Sequence, residues 1–155
     1  MAALPPLPPQ LPRRGEIFLD HVGWFVPDMD AAAAAFSRLG FELTSFVAHT
    51  NADPVGGPPV RGYIEILTAV PGIDTPLARQ LLTGIARYTG LHLIAFTVAD
   101  AAAERARLID EGFDPLPLVD LRRAVETAEG GAGEIGFQVL RLAPGAMAEG
   151  RIQTL

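Results

Sequence analysis

Apolar and polar positions along the chain fall into two series of similar form. Ile17 to Val26 is a run of apolar, aromatic and β-branched residues and predicts a strand. Asp28 or Asp30 follows, where a carboxylate oxygen can satisfy the free N–H groups of a first helical turn. A helix is therefore expected over Ala31–Leu39, ended by Gly40 in the left-handed conformation. Phe41 to Ala48, rich in Phe, Thr and Val, predicts a second strand, and Gly62 to Val70 a third. Between them Asn51 to Val60 is dense in turn residues and reads as a loop. Thr75-Pro76 opens a helix over Leu77–Arg87, with Thr as cap and Pro in the first position. The second series runs from a strand at Leu91–Val98, through a helix at Ala101–Glu111 capped by Asp100, to an extended stretch at Phe113–Val125. Pro115 and Pro117 limit the ladder bonds of that stretch. Strands at Glu134–Leu142 and Gly150–Leu155 complete it.

The two series are copies. Val26 to Val98, Asp28 to Asp100 and Gly40 to Gly112 each step by 72 residues. Arg61-Gly62-Tyr63-Ile64-Glu65-Ile66-Leu67 is echoed by Glu149-Gly150-Arg151-Ile152-Gln153-Thr154-Leu155. An internal repeat governs the fold and has to be read first. From Gly40 to Gly62 is 22 residues and from Gly112 to Gly150 is 38, so the first copy is shorter by about one strand and a turn. The second copy reads β-α-β-β-β and the first β-α-β-β. With the last strand running to Leu155, the chain reads as a trimmed or degenerate copy of a longer protein. Each copy also places a polar ligand-type residue in its first and last strands, which brings four such residues together.

Composition narrows the function. At 155 residues the chain suits one compact domain or two small modules sharing a core. No apolar run is long enough to span a bilayer, so no membrane partner is expected. Met1 to Gly15 holds five prolines and lacks the apolar region of a signal peptide; it reads as an extended, disordered arm and the location as cytoplasmic. The chain has no cysteine, which excludes disulfides, thiolate metal sites and a cysteine nucleophile. A formal charge of -6 without a basic stripe argues against nucleic acid as a partner. Gly131 to Gly136 matches G-x-G-x-x-G but precedes a strand, whereas a dinucleotide fingerprint opens a helix, so it reads as a hairpin turn. Arg122, Arg123 and Arg141 are read as solvated, and His49 as a surface loop residue.

Leu19-Asp20-His21-Val22 with Pro27-Asp28, an Ala-rich helix and Leu39-Gly40-Phe41, together with Gly62-Tyr63-Ile64-Glu65-Ile66-Leu67, resembles the vicinal oxygen chelate superfamily and within it the glyoxalase-like domain proteins. The resemblance covers Phe18 to Leu155. It implies an α+β fold in which tandem βαβββ modules form a cupped mixed sheet, the first module lacking one strand. Residues 16–72 would be module one, 75–88 a linker helix and 89–155 module two. It further implies a divalent metal (Zn, Fe, Ni, Co or Mn) in the cup, held by His21, Glu65, His92 and Gln153. Such an ion would chelate a small carbonyl or enolisable substrate in a lyase, isomerase or oxygenase reaction. Glu65 would double as the proton-transfer base. The alternatives are a metal-free small-molecule binder of the resistance type and an inactive homologue. A homodimer is expected, because it would cover the edge left by the missing strand.

Each site residue also has a plain structural reading. His21 in an apolar strand could be a hydrogen-bonded core histidine, and Glu65 between two isoleucines could point to solvent. His92 lies 71 residues after His21, not 72. Aligning Val26 with Val98 puts Leu93 in the ligand place, whereas aligning Phe25 with Phe96 puts His92 there; a one-residue slip exchanges sheet faces. Gln153 stands where a Glu is expected and is the poorer ligand.

Overall fold

The computed structural model describes residues 11–44, 62–126, 132–143 and 145–155. In chain order the elements are β1 (Ile17–Phe25), α1 (Met29–Arg38), β2 (Tyr63–Leu67), α2 (Pro76–Arg87), β3 (Gly90–Val98), α3 (Ala101–Asp110), β4 (Val119–Glu126), β5 (Ala132–Arg141) and β6 (Arg151–Thr154). The strands form one curled six-stranded sheet in the order β2-β1-β3-β6-β5-β4. This is the α+β class that the resemblance implies. Among the described residues no helix is long and apolar enough to cross a membrane.

The repeat is built atom for atom. Asp28 accepts from the Ala31 N–H at 2.9 Å, and Asp100 from the Ala103 N–H at 2.9 Å, 72 residues on. Gly40 and Gly112 end their helices with φ of 90° and 86°. The bonds Phe41 N to Phe36 O and Phe113 N to Leu108 O then close the same helix-ending motif. Each module also pairs its first strand in parallel with its last, β1 with β2 and β3 with β6. Val26 N donates to Leu67 O as Val98 N donates to Leu155 O. β1 and β3 meet antiparallel at the centre, so a pseudo-twofold axis runs between them.

The modules differ beyond that centre. Module two is complete, with β5 pairing β6 and β4 outermost. Among the described residues module one contributes β1 and β2 alone. Of the strand expected over Phe41–Ala48, residues 41–44 join no ladder and 45–48 lie outside the described residues. The loop expected over Asn51–Val60 and His49 also lie outside them, as do residues 1–10 of the arm. The extended stretch beginning at Phe113 pairs as a strand only from Val119. Before it Pro115 makes a single bridge to Leu142, because proline has no N–H to give a ladder.

Helices take opposite faces of the sheet. Phe36 of α1 meets Trp24 edge-on at 6.1 Å. Trp24 points away from its neighbours His21, Gly23 and Phe25, which are buried on the other face. That second face is covered at one end by α2. Leu81 packs there on Phe25 and Leu93, with Leu67, Ala69 and Ile85 around them. Thr75 caps α2 at 3.1 Å and Pro76 takes its first turn, as expected.

The central pairing is tight because Gly23 has no side chain. A Cβ there would stand 2.7 Å from Leu93 Cβ and 2.9 Å from its Cδ2. Gly23→Ala is expected to destabilise the fold by about 1–3 kcal/mol through overpacking. Urea denaturation measures this, and an unchanged midpoint would show that the β1–β3 contact is looser than described.

Candidate functional site in the concave face

The ladders fix which side chains share the face of His21. Directly paired residues point the same way, and alternate residues along a strand repeat the direction. One row across the sheet is Tyr63, His21, Ala95, Gln153 and Arg141. The next is Glu65, Gly23, Leu93 and Arg151. His21, Glu65 and Gln153 therefore lie on one concave surface.

The β1–β3 ladder contains two bulges. Leu19 pairs with Phe96 and His21 with Ala95, which leaves Asp20 as an extra residue of β1. Gly23 pairs with Leu93 and Trp24 with Leu91, which leaves His92 as an extra residue of β3. The two extra residues are 72 apart, so His92 is the counterpart of Asp20 and Leu93 that of His21. In the same register Gln153 is the counterpart of Glu65.

The structure does not bring His92 to His21 and Glu65. Its ring stacks between Tyr88 at 4.0 Å and Phe25 at 4.9 Å, beneath α2. Nε2 is engaged by the Tyr88 carbonyl at 2.9 Å, and Nδ1 lies 3.3 Å from the Cβ position of Gly84. Both nitrogens face α2 and its exit, so His92 is a core histidine and Leu93 takes the position equivalent to His21. The bulge explains the near miss: an extra residue resets the alternation, and both His92 and Leu93 become buried.

His21 is held firmly. Its Nδ1 is 2.6 Å from Asp20 Oδ1, while Asp20 Oδ2 accepts from the Thr97 hydroxyl at 2.6 Å. Beside a carboxylate, Nδ1 carries the proton, which leaves the Nε2 lone pair free. Tyr63 stacks on the ring at 4.7 Å. Nε2 is buried without a hydrogen-bond partner and stands 3.6 Å from Glu65 Oε2. Gln153 Oε1 is a second buried acceptor without a partner. Beside His21 a small pocket of about 180 Å³ opens between Asp20, Gly62 and Tyr63. Among the described residues no group of three His, Cys, Asp or Glu is gathered for a metal.

Three residues of the site escaped the sequence reading. Asp20 is next to His21 in sequence and would point to the opposite face of a regular strand; only the bulge turns it to His21. Arg141 was expected in solvent but is half-buried, and burial pulls its guanidinium below the usual range. Burial likewise pulls Arg151 down to about 10, helped by the charge of Arg141 and opposed by Glu65. Arg151 was legible in principle, since it precedes Gln153 by two residues and shares its face. Arg122 is exposed and pairs with Glu134 at 2.9 Å, as a solvated surface residue should; the side chain of Arg123 lies outside the described residues.

The comparisons now bear on this arrangement. A family model described as "Glyoxalase-like domain" matches residues 19–154. A hypothetical protein from Bacillus halodurans C-125 superposes with a TM-score of 0.59 at 18% identity, covering 89% of this chain and 92% of that one. Streptomyces coelicolor methylmalonyl-CoA epimerase in complex with 2-nitronate-propionyl-CoA superposes with a TM-score of 0.57 at 20% identity, covering 88% and 94%. A methylmalonyl-CoA epimerase in complex with methylmalonyl-CoA and NH4+ gives 0.56 at 20% identity, covering 88% and 92%. At these identities the similarity is one of fold. No curated protein matches the sequence.

Asp20 is the single acceptor that organises His21 and Thr97. Asp20→Ala leaves two buried polar groups unpaired and is expected to cost about 1–3 kcal/mol, whereas Thr97→Val removes one bond and costs about 0.5–1.5 kcal/mol. Chemical denaturation of both variants checks the order; equal and negligible losses would mean that water replaces the carboxylate.

Proposed function

The chain belongs to the glyoxalase-like domain family, and from that premise we propose that it is a small-molecule enzyme of isomerase or lyase type. Its substrate would be a small enolisable carbonyl compound bound on the concave face. The observation that carries this reading is His21 Nε2: buried, unpartnered, oriented from behind by Asp20 and facing Glu65. A metal-binding histidine is characteristically held by such a carboxylate at its other nitrogen.

The residues fit a divalent ion in three of the family's four places. His21 Nε2, a Glu65 carboxylate oxygen and Gln153 Oε1 would hold it, two of these atoms being buried acceptors that otherwise lack partners. Leu93 fills the fourth place and cannot coordinate, so fewer protein donors leave more positions for substrate. A bound divalent ion would supply Lewis-acid stabilisation of a developing enolate oxygen. Glu65 is the base: it takes the proton α to the carbonyl, the C–H electron pair becoming the enolate, and returns it to a neighbouring atom or face. Leu93, buried beside Glu65, gives that part of the face an apolar floor. The epimerases that share the fold are in complex with 2-nitronate-propionyl-CoA and with methylmalonyl-CoA, which supports a carbonyl substrate without identifying it.

A metal-free reading is favoured by two observations. Leu93, in place of a histidine, removes a strong neutral donor, and two guanidiniums face the same surface. In that case the concave face sequesters a small molecule and His21 serves as a hydrogen-bond acceptor only.

Metal content decides between them. Protein purified without a histidine tag and dialysed against Zn, Co, Ni or Mn is expected to retain close to one ion per chain. His21→Ala should reduce this at least tenfold, corresponding to about 1.4 kcal/mol or more of lost binding. Glu65→Gln should weaken metal retention less and abolish exchange of the substrate's α-proton with deuterated water. Wild-type protein that retains no metal while still binding small molecules would establish the metal-free reading.

A further inference from the structure

Two cations stand on the concave face. Arg141 and Arg151 are both half-buried, and the Nε of each is enclosed with no hydrogen-bond partner. Arg151 has one polar contact, from Nη1 to Gln80 Oε1 at 2.8 Å. Among the described residues neither arginine has an ion-pair partner within 4.0 Å, although Arg79, Arg87, Arg107 and Arg122 on the surface all do.

Their placement is set by the ladders. Arg141 pairs with Gln153 on β6, and Arg151 pairs with Leu93 on β3. Arg151 and Gln153 alternate along β6, so both guanidiniums rise from the face that carries His21 and Glu65. Taking two like charges out of water is costly unless an opposite charge joins them. The charge of Arg141 lowers the affinity of Arg151 for its proton, and Glu65 offsets part of this. A surface salt bridge would have answered the need cheaply, yet none is formed here among the described residues.

We propose that Arg141 and Arg151, with the Gln153 amide between them, form the subsite that receives a carboxylate group of the substrate. The guanidinium fork matches the two oxygens of a carboxylate, and burial strengthens such charge-assisted bonds. Gln153 would donate from Nε2 to the same group when its Oε1 is otherwise engaged. The substrate class is thereby narrowed to a small carbonyl compound that also carries a carboxylate. This rests on the concave face being the substrate site, and it holds for both the metal-dependent and the metal-free reading.

The test uses malonate, acetate, inorganic phosphate and uncharged malonamide as probes, with the full chain at constant ionic strength in chloride. Thermal unfolding and titration calorimetry read the response. Wild-type protein is expected to show a saturable rise in Tm with malonate and a weaker one with acetate, and none with malonamide. Arg141→Met should abolish the malonate response without lowering the Tm of the free protein, because it removes an uncompensated buried charge. Arg141→Lys keeps the charge but loses the fork, and should bind malonate roughly tenfold more weakly; it serves as the deciding variant if the methionine variant does not fold. His21→Ala should retain the malonate response. A wild-type protein indifferent to both carboxylates, an Arg141→Lys variant that binds malonate undiminished, or phosphate bound more tightly than either carboxylate would overturn the assignment. Loss of metal with the malonate response intact would sink the metal-dependent function alone, and the converse would sink the carboxylate subsite alone.

Discussion

The antiparallel ladder between β1 and β3 is the constraint from which the rest of the structure follows. It is the only direct joint between the two modules' sheets among the described residues, and it sits on the pseudo-twofold axis. Its closeness depends on Gly23, which lets Leu93 press against the β1 backbone. Every assignment of a side chain to the concave face is counted outward from this ladder, through β2 on one side and β6 and β5 on the other. A shift of one residue here would put His21 and Glu65 on the opposite face from Gln153 and both inward arginines.

The two bulges show how a duplicated frame acquires unlike chemistry. Both copies carry an extra residue at the equivalent point, so both place two consecutive side chains on the buried side of the ladder. In the first copy these are Asp20 and His21, and the bulge makes a carboxylate the support of an imidazole. In the second they are His92 and Leu93. There the imidazole occupies the supporting position, packs between two aromatic rings and binds a backbone carbonyl. In one copy the imidazole keeps a buried Nε2 without a hydrogen-bond partner, and in the other it packs into the core with α2 seated over it. Polar function and core stability are thus divided between symmetric positions and do not compete for the same one.

Electrostatics reinforces that division. The chain is acidic overall, yet its concave face gathers Arg141 and Arg151 opposite Glu65 and Asp20. Separated charges of both signs on a desolvated surface make a site polarised along its rows, with proton acceptors on the β1–β2 side and cations on the β6–β5 side. A substrate lying across Ala95 would meet both. This arrangement is a property of neighbouring strands that are far apart in sequence, and net charge gives no hint of it.

Local chemistry alone determined the repeat, the capped helices and their order. Asp28 and Asp100, Gly40 and Gly112, and Thr75-Pro76 act through bonds within a few residues, so their outcome is written where they stand. The pairing of His21 with Glu65 was legible too, because the first and last strands of a module carry an echoed motif. What the sequence left open was which of His92 and Leu93 faces the site, since periodicity is blind to a bulge and both alignments are locally sound. The inward turn of Asp20 and Arg141 was decided only by the tertiary structure. A strand's two faces are equivalent until a neighbour, a bulge or a helix makes one of them the inside, and those partners lie dozens of residues away along the chain.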